Sequence, residues 1–201
     1  MEKYLRIIDT ARREEIFAYE ALKDLLFRDV VTYVGDDTKN GVADIFTDDM
    51  SIGVEVVTCE RRTIHKFTEK NKLPINFSMK VRDKVKSHRV RPESSQVDEE
   101  AELYHNMKLS VFKKLRKLKQ GNYSGTEQIY LCICSVYEDK PYMDLSKVAG
   151  IYKEGVEKTG VQFDAVFLIV NKNLYMINNE YRFAIIDDYM NSRINVVKIN
   201  K

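Results

Sequence analysis

Apolar residues first recur at helical spacing: Leu5, Ile8, Ala11, Ala18, Tyr19, Leu22, Leu25 and Leu26 share one side of a helix predicted over residues 3 to 28. The period then drops to two. Val30 to Val34, Val42 to Thr47 and Ile52 to Thr58 are β-branched or aromatic runs separated by Gly35-Asp36-Asp37 and Asp48-Asp49-Met50-Ser51. That turn chemistry predicts a three-stranded antiparallel meander. A second helix is predicted from about 98 to 120, with Tyr104, Met107, Val111, Phe112, Leu115 and Leu118 on one face and Gly121-Asn122 as its stop. Gln128 to Val136 reads as a buried strand, Asp144 to Lys158 as a helix ended by Thr159-Gly160, and Phe163 to Val170 as another apolar strand. Strand, helix and strand in succession imply a parallel pair joined by a right-handed crossover. Asn171-Lys172-Asn173 turns the chain into a closing strand, Leu174 to Ile177, and the runs FAII and NVVKI in the tail are strand-like segments without a fixed place.

Against this pattern, four charges stand where apolar residues belong. A turn centred between Asp49 and Met50 places Asp44 directly opposite Glu55. Like charges so opposed, with Cβ atoms about 5 Å apart, destabilise a sheet, and a divalent cation is the common remedy because hard cations want carboxylate oxygens. A hairpin slipped by one residue would instead send one acid to solvent. Glu15 falls in the middle of the first helix's apolar stripe, where a carboxylate must be paired, protonated or functional; an ion pair with Arg12 is one such solution. Lys108 lies inside the apolar arc of the second long helix, beside Tyr104 and Phe112, a position from which lysines often snorkel.

The chain has 201 residues, enough for one domain with a sizeable core. No run of eighteen apolar residues occurs and the N-terminal stretch MEKYLRIIDTARREE is charged from its second residue, so the expectation is a soluble cytoplasmic protein with no membrane contact. Cys59, Cys132 and Cys134 make an odd number, which argues against a disulfide framework. Cys132 and Cys134 read as small buried strand residues. The net charge of +2 conceals an uneven distribution: eleven Lys or Arg against two acids between Arg61 and Arg91 give that stretch +9 and leave −7 for the rest. A single domain over 1–201 carrying 61–97 as a basic inserted arm follows. Within the arm Lys80, Arg82, Lys84 and Lys86 recur at period two, and with Arg61, Arg62 and Lys66 they form a candidate polyanion-binding surface. His65, His88 and His105 have no metal-ligand spacing and read as surface residues, and no GxxxxGK[ST], GxSxG or HExxH motif is present.

The succession of helix, three-stranded meander, helix and strand over residues 3 to 136, with Asp44 on the second strand and Glu55 on the third, resembles the core of the PD-(D/E)XK nuclease superfamily. The resemblance implies an α/β, restriction-endonuclease-like core (α-β-β-β-α-β), with a central mixed sheet flanked by helices and the basic arm as an insertion. It also implies Mg²⁺, with Mn²⁺ as a substitute, bound by Asp44 and Glu55 with support from Glu15, and hydrolysis of phosphodiester bonds in DNA rather than RNA, by a chain able to act as a homodimer. The sequence departs from the pattern twice. Residue 43 is Ala where the motif has Pro, and residue 57 is Val where a lysine should help activate water. Either the cation has migrated, with Lys108 as the candidate catalytic replacement, or the site binds nucleic acid without cutting it. A protein-interaction or inhibitor module is the third alternative.

Overall fold

The computed structural model describes residues 11–28, 30–35, 42–58, 95–134, 143–170, 173–177, 181 and 183–188. Residues 61–94 of the basic arm therefore lie outside the described residues, with Arg61, Arg62, Lys66, Lys80, Arg82, Lys84 and Lys86 among them, and so do residues 1–10 and the run NVVKI; residues 95–97 of the arm belong to a helix. Helix α1 spans Arg13–Leu26 and is followed by strands β1 (Thr32–Val34), β2 (Ile45–Thr47) and β3 (Ile52–Thr58). Helix α2 (Ser95–Lys119) precedes β4 (Gln128–Cys134), helix α3 (Leu145–Thr159) precedes β5 (Ala165–Val170), and β6 (Asn173–Ile177) and β7 (Phe183–Asp188) close the described chain. The strands form one mixed sheet ordered β1-β2-β3-β4-β5-β6-β7.

Antiparallel pairing joins β1 to β2 and β2 to β3, parallel pairing joins β3 to β4 and β4 to β5, and β5, β6 and β7 pair antiparallel. The predicted meander, parallel pair and closing hairpin are all present, and FAII gains its place as the start of β7. Parallel strands buried on both faces read as continuous apolar runs, and β3 and β4 illustrate why. Val54, Val56, Cys132 and Cys134 join Ala18, Ala21 and Leu22 of α1 in one core. Val57, Leu131 and Ile133 join Leu103, Met107, Val111 and Leu115 of α2 and Val148 and Tyr152 of α3 in the other. Cys132 and Cys134 are both buried, as their strand positions predict.

Local chemistry sets the ends of the helices. After α2, Gly121 adopts φ +74°, its N–H donates to the Leu118 carbonyl at 3.0 Å and the Asn122 N–H donates to the Lys117 carbonyl at 3.2 Å. That pair of bonds satisfies the last carbonyls of the helix and reverses the chain. Asp144 caps α3 by accepting from the Lys147 N–H, and Gly160 ends it. Helices α2 and α3 pack closely at Gly155, where a Cβ would lie 2.5 Å from Leu115 Cδ1. Among the described residues no helix is long and apolar enough to cross a membrane.

Candidate functional site

The β2–β3 turn fixes where the acids fall. Asp49 Oδ1 accepts from the Ser51 N–H at 3.0 Å and from the hydroxyls of Ser51 and Thr47, each at 2.7 Å. Ile45 then pairs with Val54 and Phe46 with Gly53; continued one step, the same register sets Asp44 against Glu55. Val54 and Val56 point into the α1 core, so Glu55 and Val57 point to the α2 side. Behind Asp44, the Gly35 N–H donates to the Asp44 carbonyl at 2.9 Å. A Cβ on Gly35 would lie 2.1 Å from the Ala43 carbonyl oxygen, so only glycine permits that approach.

Lys114 of α2 lies between the two acids. Its Nζ donates to Asp44 Oδ2 at 2.7 Å and contacts Glu55 Oε2 as well. The Lys114 side chain is 13% exposed and that of Glu55 only 1%. Asp44 Oδ2 also accepts from the Val56 N–H at 2.7 Å, while Asp44 Oδ1 faces Arg12 Nη2 at 3.1 Å. Arg12, at the entry to α1, binds Glu15 more fully. Its backbone N–H donates to Glu15 Oε2 at 2.7 Å, its Nε donates to Oε1 at 2.6 Å, and Nη2 lies 2.5 Å from Oε1. Glu15 thereby serves the exposed N-terminus of its own helix as well as an ion pair. Glu14, also buried, lies 3.7 Å from Arg12 Nε.

The two facing carboxylates are not equivalent. Burial pushes Asp44 up, but Lys114, the Val56 N–H and Arg12 together outweigh it and hold the carboxyl below the usual range. Burial and the adjacent Asp44 charge push Glu55 above its usual range despite Lys114. Glu15 is raised by burial, which Arg12 only partly offsets. Lys114 loses solvation, but the charges of Asp44 and Glu55 more than compensate, so its ammonium persists above the ordinary lysine range. Tyr123, placed by the turn after α2, directs its hydroxyl toward Glu55, and burial followed by the Glu55 charge raises its pKa. Tyr123 hydroxyl and Glu55 Oε2 fall short of full hydrogen-bond geometry among the described residues, so Glu55 Oε2 is held by the charge of Lys114.

The structure therefore brings Asp44 and Glu55 together, and Glu15 joins them through the shared Arg12, near enough for the Asp44 charge to act on it. Lys108 is a correction. It faces α3, pairs with Glu154 at 2.7 Å and lies over the Phe112 ring, as an interhelical lysine. Lys114 is the lysine of α2 that contacts Asp44 and Glu55. The signal was in the sequence, because Lys114 lies seven residues after Met107, three after Val111 and four before Leu118, on the row that faces the core. Tyr123 and the link from Arg12 to Asp44 had no such signal, since each depends on contacts between distant elements. His105 is exposed, as expected.

As donors, Asp44 and Glu55 suit a hard divalent cation. Glu14, Glu15, Asp44 and Glu55 are all buried and share Arg12 and Lys114, so four carboxylates face two cations. Among the described residues no group of three or more His, Cys, Asp or Glu side chains is arranged to hold a metal ion. Glu15 can act as a third ligand only by leaving Arg12. The site is thus a buried ionic network at the end of a mixed α/β sheet, built from β2, β3, α1 and α2. No family model, curated protein or solved structure matches this chain.

Proposed function

We propose that this chain is a divalent-metal-dependent nuclease, hydrolysing phosphodiester bonds of DNA on a restriction-endonuclease-like core. The observation that carries the proposal is the meeting of Asp44, Glu55 and Lys114 on one side of the sheet. Lys114 supplies from α2 the positive charge that Val57 cannot. Its support is strengthened by the order α1, β1, β2, β3, α2, β4, which is the α-β-β-β-α-β succession. Asp44 and Glu55 would hold the ion, Mg²⁺ with Mn²⁺ as a substitute. Once bound, such an ion supplies Lewis acidity and a water acidified toward neutral pH.

The chain's own residues then divide the remaining work. Lys114, released from its carboxylates by a competing cation, remains close enough to stabilise negative charge developing on a phosphate, a role for which one such donor typically contributes about 3 to 4 kcal/mol. Arg12 holds Asp44 in place from the α1 side and is itself held by Glu15. Tyr123 faces Glu55 and limits its freedom to turn. The basic arm supplies positive charge for backbone phosphates, which position a substrate without reading its sequence.

Nicking of supercoiled plasmid with Mg²⁺ or Mn²⁺ tests the proposal. Wild type and Lys108→Ala should nick, whereas Asp44→Asn and Lys114→Met should lose about 100-fold or more. Absence of metal-dependent nicking by the wild type, or equal nicking by Asp44→Asn, would remove it. A second reading is favoured by one observation: Lys114 already fills the space between the acids. A self-satisfied network suits a scaffold that binds nucleic acid without cutting it, and retention of DNA by wild type without nicking under any metal identifies that case.

A further inference from the structure

The stretch from Leu103 to Thr126 contains no acid but carries Lys108, Lys113, Lys114, Arg116, Lys117 and Lys119. Lys108 and Lys114 are committed to Glu154 and to the buried carboxylates. Lys113 and Arg116 are exposed and Lys117 is half-buried, and none of the three has an ion-pair partner among the described residues. At about 100° per residue they occupy one contiguous arc of α2, beginning next to Lys114 and turning away from the core. Lys113 and Lys117, four residues apart, are separated by about 6 Å along the axis.

Such an arc has a cost within the helix. Like charges four residues apart destabilise it by a few tenths of a kcal/mol. The helix dipole rewards cations in the last turn, which accounts in part for Arg116 and Lys117 but not for Lys113, one turn earlier. An anion outside the helix relieves all three at once.

Resting on the nuclease reading, we infer that Lys113, Arg116 and Lys117 form a phosphate-binding ledge on α2, which holds the nucleic-acid backbone beside the phosphate presented to Asp44, Glu55 and Lys114. The ligand class is a phosphodiester polyanion, and the ledge is independent of base identity because cations on phosphates carry no sequence information. The same helix thus presents Lys114 to the carboxylates and Lys113, Arg116 and Lys117 to the substrate strand, which couples backbone position to the reacting phosphate.

The test uses the full chain and a fluorescent 20-base-pair duplex in Ca²⁺, with affinity measured from 50 to 300 mM salt. Wild type is compared with Lys113→Ala/Lys117→Ala and with a charge-matched Lys147→Ala/Lys153→Ala control on α3. All four side chains lie on helix surfaces, so circular dichroism and thermal midpoints should match wild type. The ledge variant should bind at least tenfold more weakly at 150 mM salt, with a slope of log K against log salt shallower by about one per lysine, on two unrelated duplex sequences alike. The control should retain the wild-type slope. If wild type binds and nicks DNA but ledge and control variants share the wild-type slope, the ledge is wrong and the nuclease reading stands. If wild type neither binds nor nicks DNA, both are overturned together.

Discussion

Lys114 lies between two buried carboxylates that differ in their other partners, and its removal has opposite consequences for holding a cation and for using one. With methionine at 114, Asp44 and Glu55 confront each other unscreened in a buried site, which should cost on the order of 3 to 5 kcal/mol and lower the thermal midpoint accordingly. The same change removes the competitor for a divalent ion. Lys114→Met should therefore bind Mg²⁺ more tightly than wild type by calorimetry while losing plasmid nicking. Weaker Mg²⁺ binding by this variant would show that Lys114 does not occupy the cation position. At the hairpin turn, Asp49 is held at a pKa of about 2 by the Thr47 and Ser51 hydroxyls and the Ser51 N–H. Because its folded pKa lies below the ordinary carboxylate value, its contribution is present above about pH 4 and is lost as pH falls toward 2. Asp49→Ala should lower the thermal midpoint at pH 6 and converge on wild type near pH 2, whereas a constant difference across that range would assign the effect to something other than the carboxylate. At this scale the acids were legible, and so was the presence of a cation on the core side of α2, but not which one. Periodicity singled out Glu15, Asp44 and Glu55, but both Lys108 and Lys114 lie within the apolar arc of α2, and the packing of α2 between β3 and α3 decides which one meets the sheet.

Among the elements, the β2–β3 hairpin carries the tightest requirement, because a slip of one residue would send Asp44 or Glu55 to the opposite face. Its turn holds Met50 in the left-handed region at φ 59°, where a side chain is disfavoured. Met50→Gly should stabilise the protein by about 0.5 to 1 kcal/mol, the relief of a left-handed side chain less the added entropy of glycine in the unfolded chain. A higher denaturant midpoint at unchanged m-value checks it, and a lower midpoint would mean that packing of the Met50 side chain matters more than its backbone. The hairpin was legible because its turn residues lie in sequence between two alternating runs. Helix α2 was legible in extent but not in the division of its faces among the sheet, α3 and solvent. Strand β7 was ambiguous for a related reason: FAII alternates weakly, and pairing with β6 is what sets its place in the sheet.

At the scale of the molecule, charge segregation and the buried site belong together. Residues 61–91 carry +9 and the remainder −7, and part of that negative excess lies in the interior, where Glu14, Glu15, Asp44 and Glu55 share Arg12 and Lys114. The meander, the β4–β5 parallel pair and the closing hairpin were readable from turns and period changes, but the pairing of β3 with β4, the place of β7 and the closeness of α1 to Asp44 were not; α1 covers the opposite face of the sheet, and Arg12, just ahead of the helix, makes the contact. A site that, among the described residues, sets four buried carboxylates against two cations should make the fold respond to a divalent ion, because an ion that binds only the folded state stabilises it in proportion to occupancy. At a Mg²⁺ concentration 100-fold above its dissociation constant the gain is about 2.7 kcal/mol, or roughly 5 to 10 °C in thermal midpoint for a chain of this size. Wild type should show that rise with Mg²⁺ and a larger one with Mn²⁺, while matched ionic strength in NaCl should not reproduce it. Asp44→Asn should be insensitive to either metal. An equal rise in the Asp44→Asn variant would place the ion elsewhere, and no rise in wild type would leave Lys114 as the permanent occupant of the site.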